Sequence, residues 1–178
     1  RQIGLISVPK DVNLALEHRE EGLRAAAEVY GLDFSRLPRA SGDFSTESGA
    51  ACAADLLNTH PTITALIGLN DRMAMGAIQQ ARLMGRRVPE DLTVTGYDDI
   101  PAAASFSPPL TTIEQRAPET GQTAARMLFQ VLDGETPGSV VLPVRLMERE
   151  TTAAAPHPTS ETPTASDSLS TRKEDPGH

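Results

Sequence analysis

The stretch Leu92-Thr93-Val94-Thr95-Gly96-Tyr97-Asp98-Asp99-Ile100 decides the fold. It begins as a short apolar run rich in β-branched residues, breaks at a glycine, and then delivers two adjacent carboxylates into a turn. Such a run reads as a buried strand. In an open parallel sheet, polar residues just past the carboxyl end of a strand face the crevice where small molecules bind. The sequence therefore puts Asp98 and Asp99 at a ligand-accessible sheet edge. After a proline pair, Ser107-Pro108-Pro109-Leu110-Thr111-Thr112-Ile113 returns to extended structure.

Upstream, residues 2–8 read as a strand and residues 13–30 as a helix. Leu14, Leu16, Gly22, Leu23, Ala26, Ala27 and Tyr30 trace the helical stripe, and Gly31 ends it. Residues 37–40 suit a short strand. Ser45 is placed to cap a second helix that runs to about residue 58. Residues 62–69 form the next strand, and Asn70-Asp71 opens a helix through residue 84. Downstream of the decisive stretch, residues 110–114 are extended and Pro118-Glu119 starts a helix to residue 132. Residues 140–142 and 145–149 are a last extended piece. Strand and helix alternate, so the fold class is α/β, a doubly wound and mostly parallel sheet. From residue 153 to 178, Ser, Thr, Pro, Ala and charge dominate. That composition buries too little apolar surface to offset ordering entropy, and the expectation is a disordered tail.

The chain has 178 residues, a net charge of -8 and 3% aromatic residues, with no Trp. Two lysines and an acidic balance argue against nucleic-acid binding by this segment itself. The single Cys52 cannot form an internal disulfide and suits a reducing, cytoplasmic setting. No apolar run reaches membrane-spanning length, and no leader peptide is visible. The four histidines, His18, His60, His157 and His178, show no metal-ligand spacing. There is no phosphate loop and no nucleophile elbow. The expectation is a protein without cofactor, metal site or catalytic residues.

Several motifs in uninterrupted order resemble the LacI/GalR family of transcriptional regulators. They are Gly42-Asp43-Phe44-Ser45-Thr46-Glu47-Ser48-Gly49, Ala65-Leu66-Ile67-Gly68-Leu69-Asn70-Asp71-Arg72-Met73-Ala74-Met75-Gly76-Ala77, and Arg87-Val88-Pro89-Glu90-Asp91. Gly96-Tyr97-Asp98-Asp99, the Ser107-to-Gln115 segment and Leu146-Met147-Glu148-Arg149-Glu150-Thr151-Thr152 complete the set. The resemblance covers residues 2–152. It implies a periplasmic-binding-protein-like effector domain of two lobes, with a small molecule between them. It also implies a homodimer and an N-terminal helix-turn-helix module that binds operator DNA. This chain matches the second lobe, and its 117–132 helix matches a segment that returns to the first lobe. The helix-turn-helix module has no counterpart here.

The same resemblance implies the site residues. Asp98 matches an effector-binding acid, whereas the residues alone also allow a loop acid or cap. Asn70 matches an effector contact, which leaves the capping role to Asp71. Arg19, which by itself reads as part of a solvated charged face, matches an arginine that forks onto ligand oxygens. Phe44 matches an aromatic against which the ligand packs, and Gln115 a further contact. Phe106 and the helix bearing Met73 and Ala77 match a dimer interface, although at least one of Met73, Met75 and Met84 is expected to fill the core. The implied ligand is a sugar or related metabolite. Two other readings fit the residues: a periplasmic solute receptor on the same fold, and a flavodoxin-like enzyme or receiver using Asp98 and Asp99 on a metal.

Overall fold

Parallel strands joined by helices need cover on both faces, and the alternating sequence supplies it. The computed structural model describes residues 2–9 and 14–154. Strands β1 (Ile3–Ser7), β2 (Arg39–Ser41), β3 (Ala65–Gly68) and β4 (Thr93–Thr95) form one sheet in the order β2-β1-β3-β4. Every pairing is parallel, with Leu5 opposite Arg39 on one side and Ile67 on the other.

The two-residue period of the strands sorts their side chains. Ile3, Leu5 and Ile67 share a small pocket with Leu23, Ala26 and Ala27 of α1 (Leu14–Val29). Gly4, Leu66 and Gly68 face α2 (Thr46–Thr59) and α3 (Asp71–Leu83), for a Cβ on Gly4 would meet Leu56 and one on Gly68 would meet Ala74. Helices thus cover both faces, as the alternation predicts. Leu5, Ile6, Leu56, Ile63, Leu66, Met73, Ile78 and Leu92 are almost wholly enclosed. Each such side chain contributes about 1.5–3 kcal/mol by leaving water.

Helix α2 starts where the sequence places it. Ser45 is extended, and its Oγ accepts from Ser48 N at 3.0 Å. Beyond β4 the sheet continues through parallel bridges, Thr95 to Thr111 and Asp98 to Glu114. Strand β5 (Thr112–Glu114) then pairs antiparallel with β6 (Arg145–Met147). The chain is stitched back to β4 by Val94 N donating to Thr151 O at 2.9 Å and Thr151 Oγ1 donating to Val94 O at 2.7 Å.

Residues 101–105, to which the sequence pattern assigns no element, form a short helix α4 (Pro101–Ser105), because the proline suits the first turn and the alanines favour helix. Residues 140–142 join no ladder, since β5 offers only three residues and β6 takes them all. Helix α5 (Ala117–Leu132) buries none of its residues, and Leu128, Val131 and Leu132 are each more than half exposed. The expected tail falls mostly on residues 155–178, outside the described residues.

Candidate functional site

The five site residues implied by the resemblance lie at the carboxyl ends of the strands. Phe44 follows β2, Asn70 follows β3, Asp98 follows β4 and Gln115 follows β5, while Arg19 sits in α1, the helix that follows β1. In a parallel sheet this arrangement gathers polar groups from distant sequence positions at one mouth.

Three of the five meet directly. Arg19 Nη2 donates to Asp98 Oδ1 at 3.3 Å, and Nη1 donates to Leu69 O at 2.6 Å. Gln115 Nε2 also donates to Asp98 Oδ1. The guanidinium lies over the Tyr97 ring, 3.8 Å from its centroid, where the ring's negative face favours it. Arg19 therefore does not spend its charge on its own helix. Its side chain is 16% exposed and that of Asp98 is 30% exposed. Partial burial pushes the Asp98 carboxyl above its ordinary range, while the Arg19 charge and the hydrogen bonds from Gln115 and Arg19 oppose the shift. Both donors converge on Oδ1, which leaves Oδ2 without a donor among the described residues.

The other two form a second pair. Asn70 Nδ2 donates to Phe44 O at 3.1 Å, and Asn70 Oδ1 accepts from Met73 N at 2.8 Å. The capping role thus belongs to Asn70, not to Asp71. Asn70 has the extended backbone of a cap, so its short side chain reaches the third amide of α3. Asp71, one residue inside the helix, turns away. Its Oδ2 accepts from Ile100 N at 2.8 Å and its Oδ1 accepts from the Thr112 hydroxyl. Asp71 N in turn donates to Tyr97 O at 2.8 Å, which seats the Asp98 turn directly on the start of α3.

Phe44, Asp98 and Asp99 have φ of 71°, 118° and 55°. Non-glycine residues seldom occupy this region, and such strain collects at functional sites. Asp98 and Asp99 do not converge on a common point: Asp99 Oδ1 takes Arg149 Nη2 at 2.6 Å, away from the Arg19 network. Beside that network a cleft of about 560 Å³ runs along the α1 face of the sheet. Arg19, Tyr97 and Gln115 line it together with the apolar Leu23, Ile67 and Ile113. Phe44, Asn70 and Asp98 are not among its lining residues.

Met73 and Ala77 lie elsewhere than expected. Both are fully buried within this chain, Met73 lying against Gly42 and against Gly49 of α2. A side chain with no exposed surface cannot form the contact face of a dimer. Helix α3 is enclosed on more than one side, and its outer face presents Arg72, Gln79 and Leu83 instead. Phe106 is half-buried against the core. Sequence reasoning passed over Tyr97 as the platform for Arg19, although the residue stands in the decisive stretch. It also missed the Asp99–Arg149 pair, which links motifs fifty residues apart.

A family model described as a periplasmic binding protein-like domain matches residues 1–152. The HTH-type transcriptional regulator CelR of Thermobifida fusca is 37% identical over 152 residues, which are 84% of this chain and 44% of that protein. A transcriptional regulator CelR–cellobiose complex superposes with a TM-score of 0.78 at 37% identity, covering 85% of this chain and 46% of the other. A lac repressor dimer bound to operator and an anti-inducer gives a TM-score of 0.80 at 34% identity, covering 86% and 53%. The chain spans about half the length of these relatives. Placed beside the parallel sheet and the acids beyond its strands, these matches show that the chain belongs to the periplasmic-binding-protein-like family, within the effector-binding domains of LacI/GalR-type regulators.

Proposed function

We propose that this chain is the second-lobe part of a sensor that holds a small hydroxylated metabolite, most simply a sugar, and does not transform it. The Arg19–Asp98–Gln115 network carries the reading. Asp98 Oδ2 can accept from a sugar hydroxyl, and Arg19 keeps N–H groups beyond the two that it uses. Asn70 and Phe44 flank the mouth and complete the contact set. In the CelR complex the ligand is cellobiose, and a β-linked glucose disaccharide is the first candidate here.

In the intact protein, residues 1–152 belong to the effector and dimerisation domain. The open stripe of α5 lies against the first lobe. Effector binding between the lobes changes the geometry of paired helix-turn-helix modules and so their operator affinity. Such linkage requires different effector affinity in the two states. The protein is a homodimer working in the cytoplasm, and no helix among the described residues is long and apolar enough to cross a membrane.

Calorimetric titration of the intact protein with cellobiose, monosaccharides and nucleosides tests the reading. One of these is expected to bind, and Asp98→Ala to weaken it at least ~30-fold, about 2 kcal/mol, as for a lost charged hydrogen bond. The isolated fragment should bind far more weakly, since it lacks the opposing wall. Undiminished binding by Asp98→Ala, or tight binding by the fragment, overturns the proposal.

A further inference from the structure

We infer that Asp71 is a positioning residue, a buried clip that holds the Asp98 turn in register with β5, the strand that leads into Gln115. The inference rests on the reading that Asp98 and Gln115 contact the effector.

Three chain segments meet at this one side chain. Asp71 belongs to the first turn of α3, Ile100 closes the turn that carries Asp98, and Thr112 opens β5, three residues before Gln115. Asp71 and Thr112 are buried, at 0% and 1% exposure. One carboxylate oxygen takes the Ile100 amide and the other takes the Thr112 hydroxyl. The backbone completes the junction. Asp71 N donates to Tyr97 O at 2.8 Å, Gly96 N to Thr111 O at 3.0 Å and Asp98 N to Ile113 O at 2.9 Å. The junction leaves no room at Gly96, where a Cβ would collide with Asp71 Oδ1 and sit 2.9 Å from Leu110.

The electrostatics favour geometry over charge as the role of this carboxyl. Burial pushes Asp71 above its ordinary range, the Thr112 and Ile100 bonds oppose the shift, and Asp98 and Asp99 add to it. The nearby cations are taken by other acids: Arg19 by Asp98 and Arg149 by Asp99. What Asp71 supplies is two acceptors in fixed directions. An asparagine reproduces both contacts, with Oδ1 accepting from Ile100 N and Nδ2 donating to Thr112 Oγ1. An alanine reproduces neither.

Two signals in the ligand-free intact protein read the register. One is the side-chain amide resonance of Gln115, displaced by its bond to Asp98. The other is hydrogen exchange at Asp98 N, protected by Ile113 O. With Thr112→Val, which deletes one arm of the clip and keeps the shape, exchange at Asp98 N should quicken at least ~10-fold relative to core amides. The Gln115 resonance should move toward its solvated position. Asp71→Ala should do more, whereas Asp71→Asn should restore both signals. Unchanged signals in a folded Thr112→Val, or failure of Asp71→Asn to restore them, overturn the inference. Because Asp71→Ala risks failing to fold, Thr112→Val carries the decision. No ligand enters this measurement, so its failure is separate from failure of the Asp98→Ala titration.

Discussion

Helices α3 and α5 both carry apolar stripes, and they meet opposite fates. In α3, Met73, Ala74, Ala77, Ile78 and Ala81 have no exposed surface. In α5, none of sixteen residues is buried, and Phe129 and Leu132 are 66% and 70% exposed. An amphipathic stripe therefore states that a helix needs a partner without saying where that partner is. For α3 the partner lies in the same unit: α2 and the sheet, reached across short connections. For α5, the proposed partner is the first lobe.

The strongest way to break the contrast is to wedge α2 from α3. Gly76 lies against the Thr46 carbonyl and the Ala50 amide, and Gly49 lies against the Met73 backbone, so a Cβ at either position collides with main chain. Main chain cannot rotate aside as a side chain can. Gly76→Val is expected to lose about 3 kcal/mol or more in urea unfolding, the upper end for overpacking. A loss within error would mean that the two helices have slack.

A matched truncation pair sharpens the comparison. Ile78→Ala on α3 leaves a cavity beneath a fully enclosed side chain and should cost about 2–5 kcal/mol. Leu128→Ala on α5, at 58% exposure, should cost less than ~0.5 kcal/mol in this chain. In the intact protein, Leu128→Ala should rise well above that bound if the first lobe covers the stripe. Equal small costs in both forms would remove the lobe assignment for α5.

The four parallel strands, helices α1, α2, α3 and α5 and the Ser45 cap were legible because their signals are local: a period, a cap residue, a glycine stop; helix α4 and the unpaired residues 140–142 were not. The grouping of Arg19, Asp98 and Gln115 came from the family resemblance, and the structure brings these three side chains into contact. What stayed hidden depends on side-chain direction across long sequence separations. Nothing local tells which of Asn70 and Asp71 caps α3; the choice follows from where Thr112 and Ile100 stand. Met73 and Ala77 likewise look like surface positions on a two-sided helix until α2 and the sheet are both in place. The Arg19 stack on Tyr97 is a contact between α1 and the turn after β4, and no spacing rule announces it.

A smaller test concerns the cap of α2, whose seat against α3 the wedge experiment probes. Ser45→Ala should cost about 1 kcal/mol by leaving the Ser48 amide without its acceptor.

The smallest expected effect is a pH dependence at the same cap. Asp43 Oδ1 accepts from Ser45 N at 3.0 Å and from the Ser45 hydroxyl. These bonds hold its carboxyl at about 2, below its ordinary 3.8, with the Ser45 side chain the largest cause. The folded state thus releases this proton more readily than the unfolded chain does. The stabilisation is complete above pH 4 and fades as pH falls through about 2. Asp71 has the opposite sign: its folded value is raised, so protonation favours the folded state as pH falls. The two trends oppose each other in the parent protein. Asp43→Asn should remove only the first, flattening the loss of stability between pH 4 and 2 in a urea series. If the slope there is the same with and without the Asp43 carboxylate, the Asp43–Ser45 bonds do not hold α2 in place.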